Sequence, residues 1–171
     1  LGVLPNTNAL LGVEGVDGIK TGTLDDFGAN LLFSADYPVG SSTVTLVGVV
    51  LGGPSHARIN EDILGILRST IANFSEVEVV ADGQTFGVYD TLWGDSAAAV
   101  ASEPVSVLVW GGESIATEVV TEEVTTGEAG EDVGDVVVRV GDRSVTIDLE
   151  LALDLADPGP WWRLTNPALL F

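Results

Sequence analysis

The 171-residue chain contains no cysteine and no methionine, and a single lysine and a single histidine. Without cysteine there is no disulfide, no thiol nucleophile and no cysteine-ligated zinc, a composition compatible with an exported bacterial protein. Basic residues are scarce, with 6 Lys and Arg against 26 Asp and Glu, for a formal charge of −20. A surface this negative repels phosphate backbones, so no nucleic acid is expected as a partner. No apolar run reaches the roughly 18 residues that a membrane helix needs. The opening LGVLPNTNALLG has neither a basic leader nor a small-residue cleavage site, so it does not read as a signal peptide. With no initiating Met, the chain is expected to begin inside a longer precursor.

What is present is apolar enough to fold: 46% of residues are hydrophobic. The acids are unevenly spread. Residues 1–75 carry 7 acids against 3 bases, and residues 76–171 carry 19 against 3. That shift marks an expected boundary near Phe74-Ser75-Glu76, between a domain over 1–75 and an acidic one over 76–171.

In the first part, a turn around Asp17-Gly18 is expected to lead into a short strand, Ile19 to Thr23. Asn30 to Ala35 reads as a buried strand, and Asp36 to Ser42 as turn chemistry. Thr43 to Leu51 is a β-branched strand stopped by Gly52-Gly53-Pro54. Short links predict an antiparallel meander. The period then changes: Ile59, Ile63, Leu67, Ile71 and Phe74 recur every three or four residues, with Ile66 beside them, as on an amphipathic helix. Ser55 fits an N-cap, with Glu61 and Asp62 toward the positive end of the dipole. This helix would cover one face of the meander, and nothing within 1–75 would cover the other. The region reads as half a domain.

Beyond residue 76 the pattern is β throughout. Val77 to Val80 and Val105 to Trp110 read as strands, and Val136 to Val140, a Gly141-Asp142 turn and Val145 to Leu151 as a hairpin. In its second arm Val145, Ile147, Leu149, Leu151 and Leu153 alternate with polar or small residues, as on a half-solvated antiparallel strand.

The lone lysine stands in Lys20-Thr21-Gly22, between glycines and ahead of an apolar strand. The triplet alone has little specificity. Its surroundings add more: Asn8-Ala9-Leu10-Leu11, Gly15 to Thr23, Gly28 to Ala35, and Leu46 to Gly53. In order and spacing these segments resemble the C-terminal half of the peptidase domain of a D-alanyl-D-alanine carboxypeptidase, of the low-molecular-mass penicillin-binding type. The resemblance covers residues 5–75; residues 76–171 match only in kind, as that family's all-β second domain.

The resemblance implies an α+β architecture: three antiparallel strands and a C-terminal helix from a penicillin-recognising domain, followed by a small sandwich-like β domain. It implies serine-type removal of the terminal D-Ala from peptidoglycan stem peptides through an acyl-enzyme, without a metal or organic cofactor. β-Lactam antibiotics would be ligands, and the place of action extracytoplasmic. Lys20 and Thr21 would hold the substrate carboxylate by charge-assisted hydrogen bonds. Gly22 would let the substrate backbone approach the strand. Thr23, often histidine in the family, occupies the position whose backbone N–H forms half of the oxyanion hole. Arg58 matches an arginine common in these enzymes and is a further candidate for carboxylate binding, beside a plain structural reading. Asn8 and Asp17 read as turn and packing residues.

The family's Ser-x-x-Lys nucleophile motif cannot occur here, because Lys20 is the sole lysine and Asp17 lies three residues before it. No Ser-x-Asn occurs either. Both motifs precede the Lys-Thr-Gly strand in the family, so the nucleophile is expected on an N-terminal remainder of the same protein, and this chain alone is expected to be inactive. Two alternatives stand beside this reading: another serine acyl-hydrolase of the same fold, such as a β-lactamase, and a non-catalytic exported cell-wall module.

Three further features have bland readings. His56, at a helix start, reads as a partnerless surface residue rather than a proton shuttle. The acidic stretch 121–135 lacks an EF-hand pattern and reads as a solvated loop. Trp161 and Trp162 read as closing the end of the β domain, with a membrane-interface cluster as the alternative. The terminal Ala168 to Phe171 is the place where a membrane anchor would follow.

Overall fold

A computed structural model describes residues 6–169. Two compact units emerge: residues up to Glu76 together with Leu108–Gly111, and Val77–Val107 together with the chain from Gly112 onward.

The first unit is built on a three-stranded antiparallel meander, β1 (Val16–Leu24), β2 (Gly28–Val39) and β3 (Ser42–Gly53), in sequential order. Two of the expected turns are strand instead. Asp17-Gly18 lies within β1, with a local register shift between Val16 and Gly18. The segment from Asp36 continues β2 as far as Val39, because Asp36 to Val39 find ladder partners in Ser42 to Thr45. The real turn is Gly40-Ser41, and Gly40 takes the left-handed φ of 60° that a two-residue hairpin loop demands.

Helix α1 (His56–Ile71) follows β3, capped by the Ser55 side chain, which accepts a hydrogen bond from the Arg58 N–H. Its first turn contains no acid, so Glu61 and Asp62 lie beyond the reach of a dipole effect. Ile59, Ile63 and Leu67, spaced by four, are buried against Leu31, Phe33 and Ala35 of β2. Phe74 does not extend that stripe, since it opens β4 (Phe74–Val80), and Ile66 is exposed. Helix and sheet approach closely because β3 carries glycine beneath them: a Cβ on Gly53 would collide with Ile59 Cγ2. Similarly, a Cβ on Gly48 would run into the Phe33 ring.

The opposite face of the meander is uncovered. Val47, Val49 and Leu51 alternate along β3 at 67%, 57% and 71% exposure, with Leu32 beside them on β2. This is the open face that the sequence pattern anticipated.

Strand β4 pairs with β7 (Val105–Trp110) as a two-stranded sheet. In the second unit β5 (Thr85–Asp90), β6 (Ser96–Ala101), β8 (Ile115–Thr121), β9 (Asp132–Val140) and β10 (Arg143–Leu151) form a five-stranded antiparallel sheet, in the order β5-β6-β10-β9-β8. The β9–β10 hairpin turns at Gly141-Asp142, pairing Val140 with Arg143. Its core comes from Val136, Val138, Ile147, Leu149 and Leu151. The alternation stops where the strand does, so Leu153 is exposed; Val145, near the start of β10, is exposed as well, and the buried face begins at Ile147.

The acidic stretch is partly strand: Thr121 ends β8, Asp132 begins β9, and the residues between form a loop bridged at Gly127 to Leu155. The part expected to be all-β includes a short helix, α2 (Gly159–Thr165), which carries the tryptophans. Only one of them closes the unit. Trp162 meets Trp93 edge-on at 5.9 Å, whereas Trp161 is 75% exposed. Among the described residues no helix is long and apolar enough to cross a membrane. Leu170 and Phe171, where an anchor was expected to follow, lie outside the described residues.

Candidate functional site

Strand order decides what meets what. Across the meander Thr23 stands opposite Ala29, and Ala29 opposite Gly53, so the end of β1 shares a row with the end of β3. α1 starts three residues after Gly53, which brings its first turn beside Lys20-Thr21-Gly22-Thr23. The triplet lies on β1, an edge strand. One flank is therefore free for a ligand to lie along.

A cleft of about 490 Å³ opens there, lined by Thr7, Lys20, Thr21, Gly22, Thr23 and His56. A larger hollow of about 1110 Å³ is lined by the same four strand residues, Lys20 to Thr23, with Leu24, Phe27, Leu51 and Pro54 among its apolar walls and Asn30 and Asp26 as further polar members. The smaller cleft has no carboxylate in its lining, although the chain carries 26 acids.

The six cations divide sharply. All five arginines are ion-paired: Arg58 with Glu61 and Asp62, Arg68 with Glu14, Arg139 with Glu118, Arg143 with Glu113, and Arg163 with Asp157. The hydrogen bond that Arg68 donates to Glu14 raises its guanidinium above the ordinary value. Lys20 alone has no carboxylate partner among the described residues. Its Nζ donates at 2.8 Å to the carbonyl of Thr21 and otherwise faces solvent.

Hydroxyls flank it. Thr21 Oγ1 lies 2.6 Å from Thr7 Oγ1, and Thr23 Oγ1 lies 2.8 Å from His56 Nε2. An unneutralised ammonium, oriented hydroxyls and an edge strand form an arrangement able to take an anion, and a carboxylate in particular. Asn8 is buried and holds the entry to β1, donating to the Gly18 carbonyl at 3.0 Å and accepting from the Leu10 N–H at 3.0 Å. Asp17 accepts from Ser34 Oγ on β2.

Four of the five residues singled out from the sequence are thus brought together: Lys20, Thr21, Gly22 and Thr23. Arg58 is not among them. It lies along α1, engaged at 3.4 Å with Glu61 and at 3.0 Å with Asp62, and lines neither cleft. His56 takes its place, and the expectation that it has no partner is corrected by its contact with Thr23. Thr7 was missed as well. The signal for His56 was present in the meander itself, because a strand that returns antiparallel must deliver the following helix to the end of β1.

No family model matches the chain, and no curated protein does. It is similar to solved structures. One is penicillin binding protein 5 from Haemophilus influenzae, at 24% identity over 88% of this chain and 46% of that one, with a TM-score of 0.43. Another is the D-alanyl-D-alanine carboxypeptidase DacD from Francisella tularensis, at 20% identity over 87% and 38%, with a TM-score of 0.48. A third is a peptidoglycan synthesis regulatory factor (PBP3) from Streptococcus pneumoniae, at 18% identity over 90% and 48%, with a TM-score of 0.41. The chain spans less than half the length of each. These neighbours are of the group that the Lys-Thr-Gly region resembles.

Proposed function

We propose that the chain is the C-terminal portion of a serine-type D-alanyl-D-alanine carboxypeptidase, with Lys20 and Thr21 gripping the terminal carboxylate of a peptidoglycan stem peptide. The observation that carries this reading is Lys20: it is the one Lys or Arg side chain without a carboxylate partner among the described residues. It stands at a strand edge, bordering both a small cleft without an acid and a larger hollow that holds Asp26. An ammonium kept unpaired in so acidic a chain is available to an incoming anion.

In this reading the substrate runs along β1, where Gly22 offers no side chain to block it. The Thr23 N–H stabilises the oxyanion that forms at the scissile carbonyl. A serine hydroxyl on the N-terminal remainder of the protein adds to the penultimate D-Ala carbonyl carbon. The bond from that carbon to the nitrogen of the last D-Ala breaks, the nitrogen takes up a proton, and an ester remains on the serine. Water then cleaves the ester and restores the hydroxyl. β-Lactams would enter the same site, and the work would be done outside the cytoplasmic membrane. Residues 1–75 would belong to the peptidase domain and 76–171 to an accessory β domain. The exposed row of Leu32, Val47, Val49 and Leu51 supports a missing half, since an apolar sheet face of this kind normally packs on another layer.

Titration of the chain with N-acetyl-D-Ala-D-Ala, followed by NMR at the single lysine, tests this reading. Lys20→Ala is expected to weaken binding about tenfold or more, the scale of a lost charge-assisted hydrogen bond. Equal affinity in the variant would overturn the assignment. Incubation of this chain alone with a fluorescent penicillin is expected to leave no covalent adduct; labelling would refute a nucleophile elsewhere.

A further inference from the structure

Resting on the carboxylate site just described, the geometry points to His56 as an additional substrate-positioning residue, acting through the hydroxyl of Thr23. The imidazole Nε2 lies 2.8 Å from Thr23 Oγ1, and both side chains line the small cleft with Lys20 and Thr21. The contact joins residues 33 apart in sequence.

The hydrogen bond has two possible directions, and a bound anion distinguishes them. When Nε2 accepts, the Thr23 proton points at the ring and the hydroxyl offers only lone pairs elsewhere. When Nε2 carries the proton and donates, the Thr23 O–H is released and can turn to a carboxylate held by Lys20. The second arrangement forms a chain, Nε2–H to Oγ1 and O–H to carboxylate, in which each bond polarises the next. A carboxylate in the cleft would therefore hold His56 in its Nε2–H form and fix the Thr23 rotamer at the end of the binding strand. Thr7 gives Thr21 a comparable brace at 2.6 Å, so each threonine hydroxyl of the strand has a partner from outside it. Among the described residues the small cleft has no Asp or Glu in its lining; Asp26 lies in the lining of the larger hollow.

His56 is the only histidine, so its ring nitrogens give isolated signals in a ¹⁵N spectrum. On titration with N-acetyl-D-Ala-D-Ala, the Nε2 resonance is expected to move to the protonated, donor position and to saturate together with the Lys20 signal. His56→Ala should weaken binding about three- to tenfold, the scale of a neutral hydrogen bond. His56→Gln, which carries an amide N–H at similar reach, should recover most of that loss. Dipeptide binding that depends on Lys20 but leaves Nε2 unmoved, with His56→Ala at wild-type affinity, would overturn this inference and leave the proposed function standing. No binding, or binding indifferent to Lys20→Ala, would overturn both.

Discussion

Ser41, in the turn between β2 and β3, gives the Glu76 carboxylate two hydrogen bonds: its hydroxyl at 2.6 Å and its backbone N–H at 2.9 Å. The hydroxyl bond foremost, then the backbone bond, hold the Glu76 carboxyl below its ordinary value of 4.5. A depressed carboxyl adds stability that is complete above the unfolded value and is lost as pH falls through the folded one. Glu76→Gln should therefore melt below wild type at neutral pH, with the gap closing below about pH 4.5. Comparing the two proteins cancels the relief that acid brings to a −20 chain. A gap that stays constant down to pH 3 would show that the paired charge contributes nothing.

Gly53 beneath Ile59 makes a second prediction. Gly53→Ala places a methyl on Ile59 Cγ2 and should cost about 1–3 kcal/mol in urea unfolding, as overpacked cores do. Ile59→Leu removes the β-branch methyl involved. The double variant should consequently lose less than the two single variants together, and strict additivity would disprove the close contact.

The two faces of the meander should respond differently. Ile63→Ala empties a fully buried site and is expected to cost about 2–5 kcal/mol. Val49→Thr, on the open face at 57% exposure, should stay within about 0.5 kcal/mol. Equal losses at the two positions would mean that the open face is covered in solution.

Salt should stabilise the chain. Its ion pairs are largely exposed, and such pairs contribute little individually, whereas the self-repulsion of a −20 chain is long-ranged. Raising NaCl to about 1 M, where the Debye length is about 3 Å, should raise the melting temperature. A fall would show that the ion pairs outweigh the repulsion.

Much of the fold was legible because local periodicities coincide with the packing. The four-residue spacing of Ile59, Ile63 and Leu67 marks the helix face, and Ser55 marks its start. The alternation of Ile147, Leu149 and Leu151 marks one side of β10. Misreadings fell where pairing overrides local chemistry. Asp36 to Val39 resemble a turn by composition, yet ladder bonds to β3 extend the strand through them. Leu153 continues the alternating pattern past the point where the chain leaves the sheet.

The site divides in the same way. Sequence by itself determined that one ammonium stands in a Lys-Thr-Gly strand and that no Ser-x-x-Lys exists in this chain, because both are facts of residue identity and order. It also held the local partners of Arg58, since Glu61 and Asp62 at three and four residues on lie over the same helix face. Only the tertiary structure decided that His56 rather than Arg58 reaches the cleft. At 3.6 residues per turn, positions two apart point about 200° away from each other, so a helix whose first residue faces Thr23 must send the third elsewhere. That orientation is set by the buried stripe of α1 settling on β2, a contact that no window of local sequence contains.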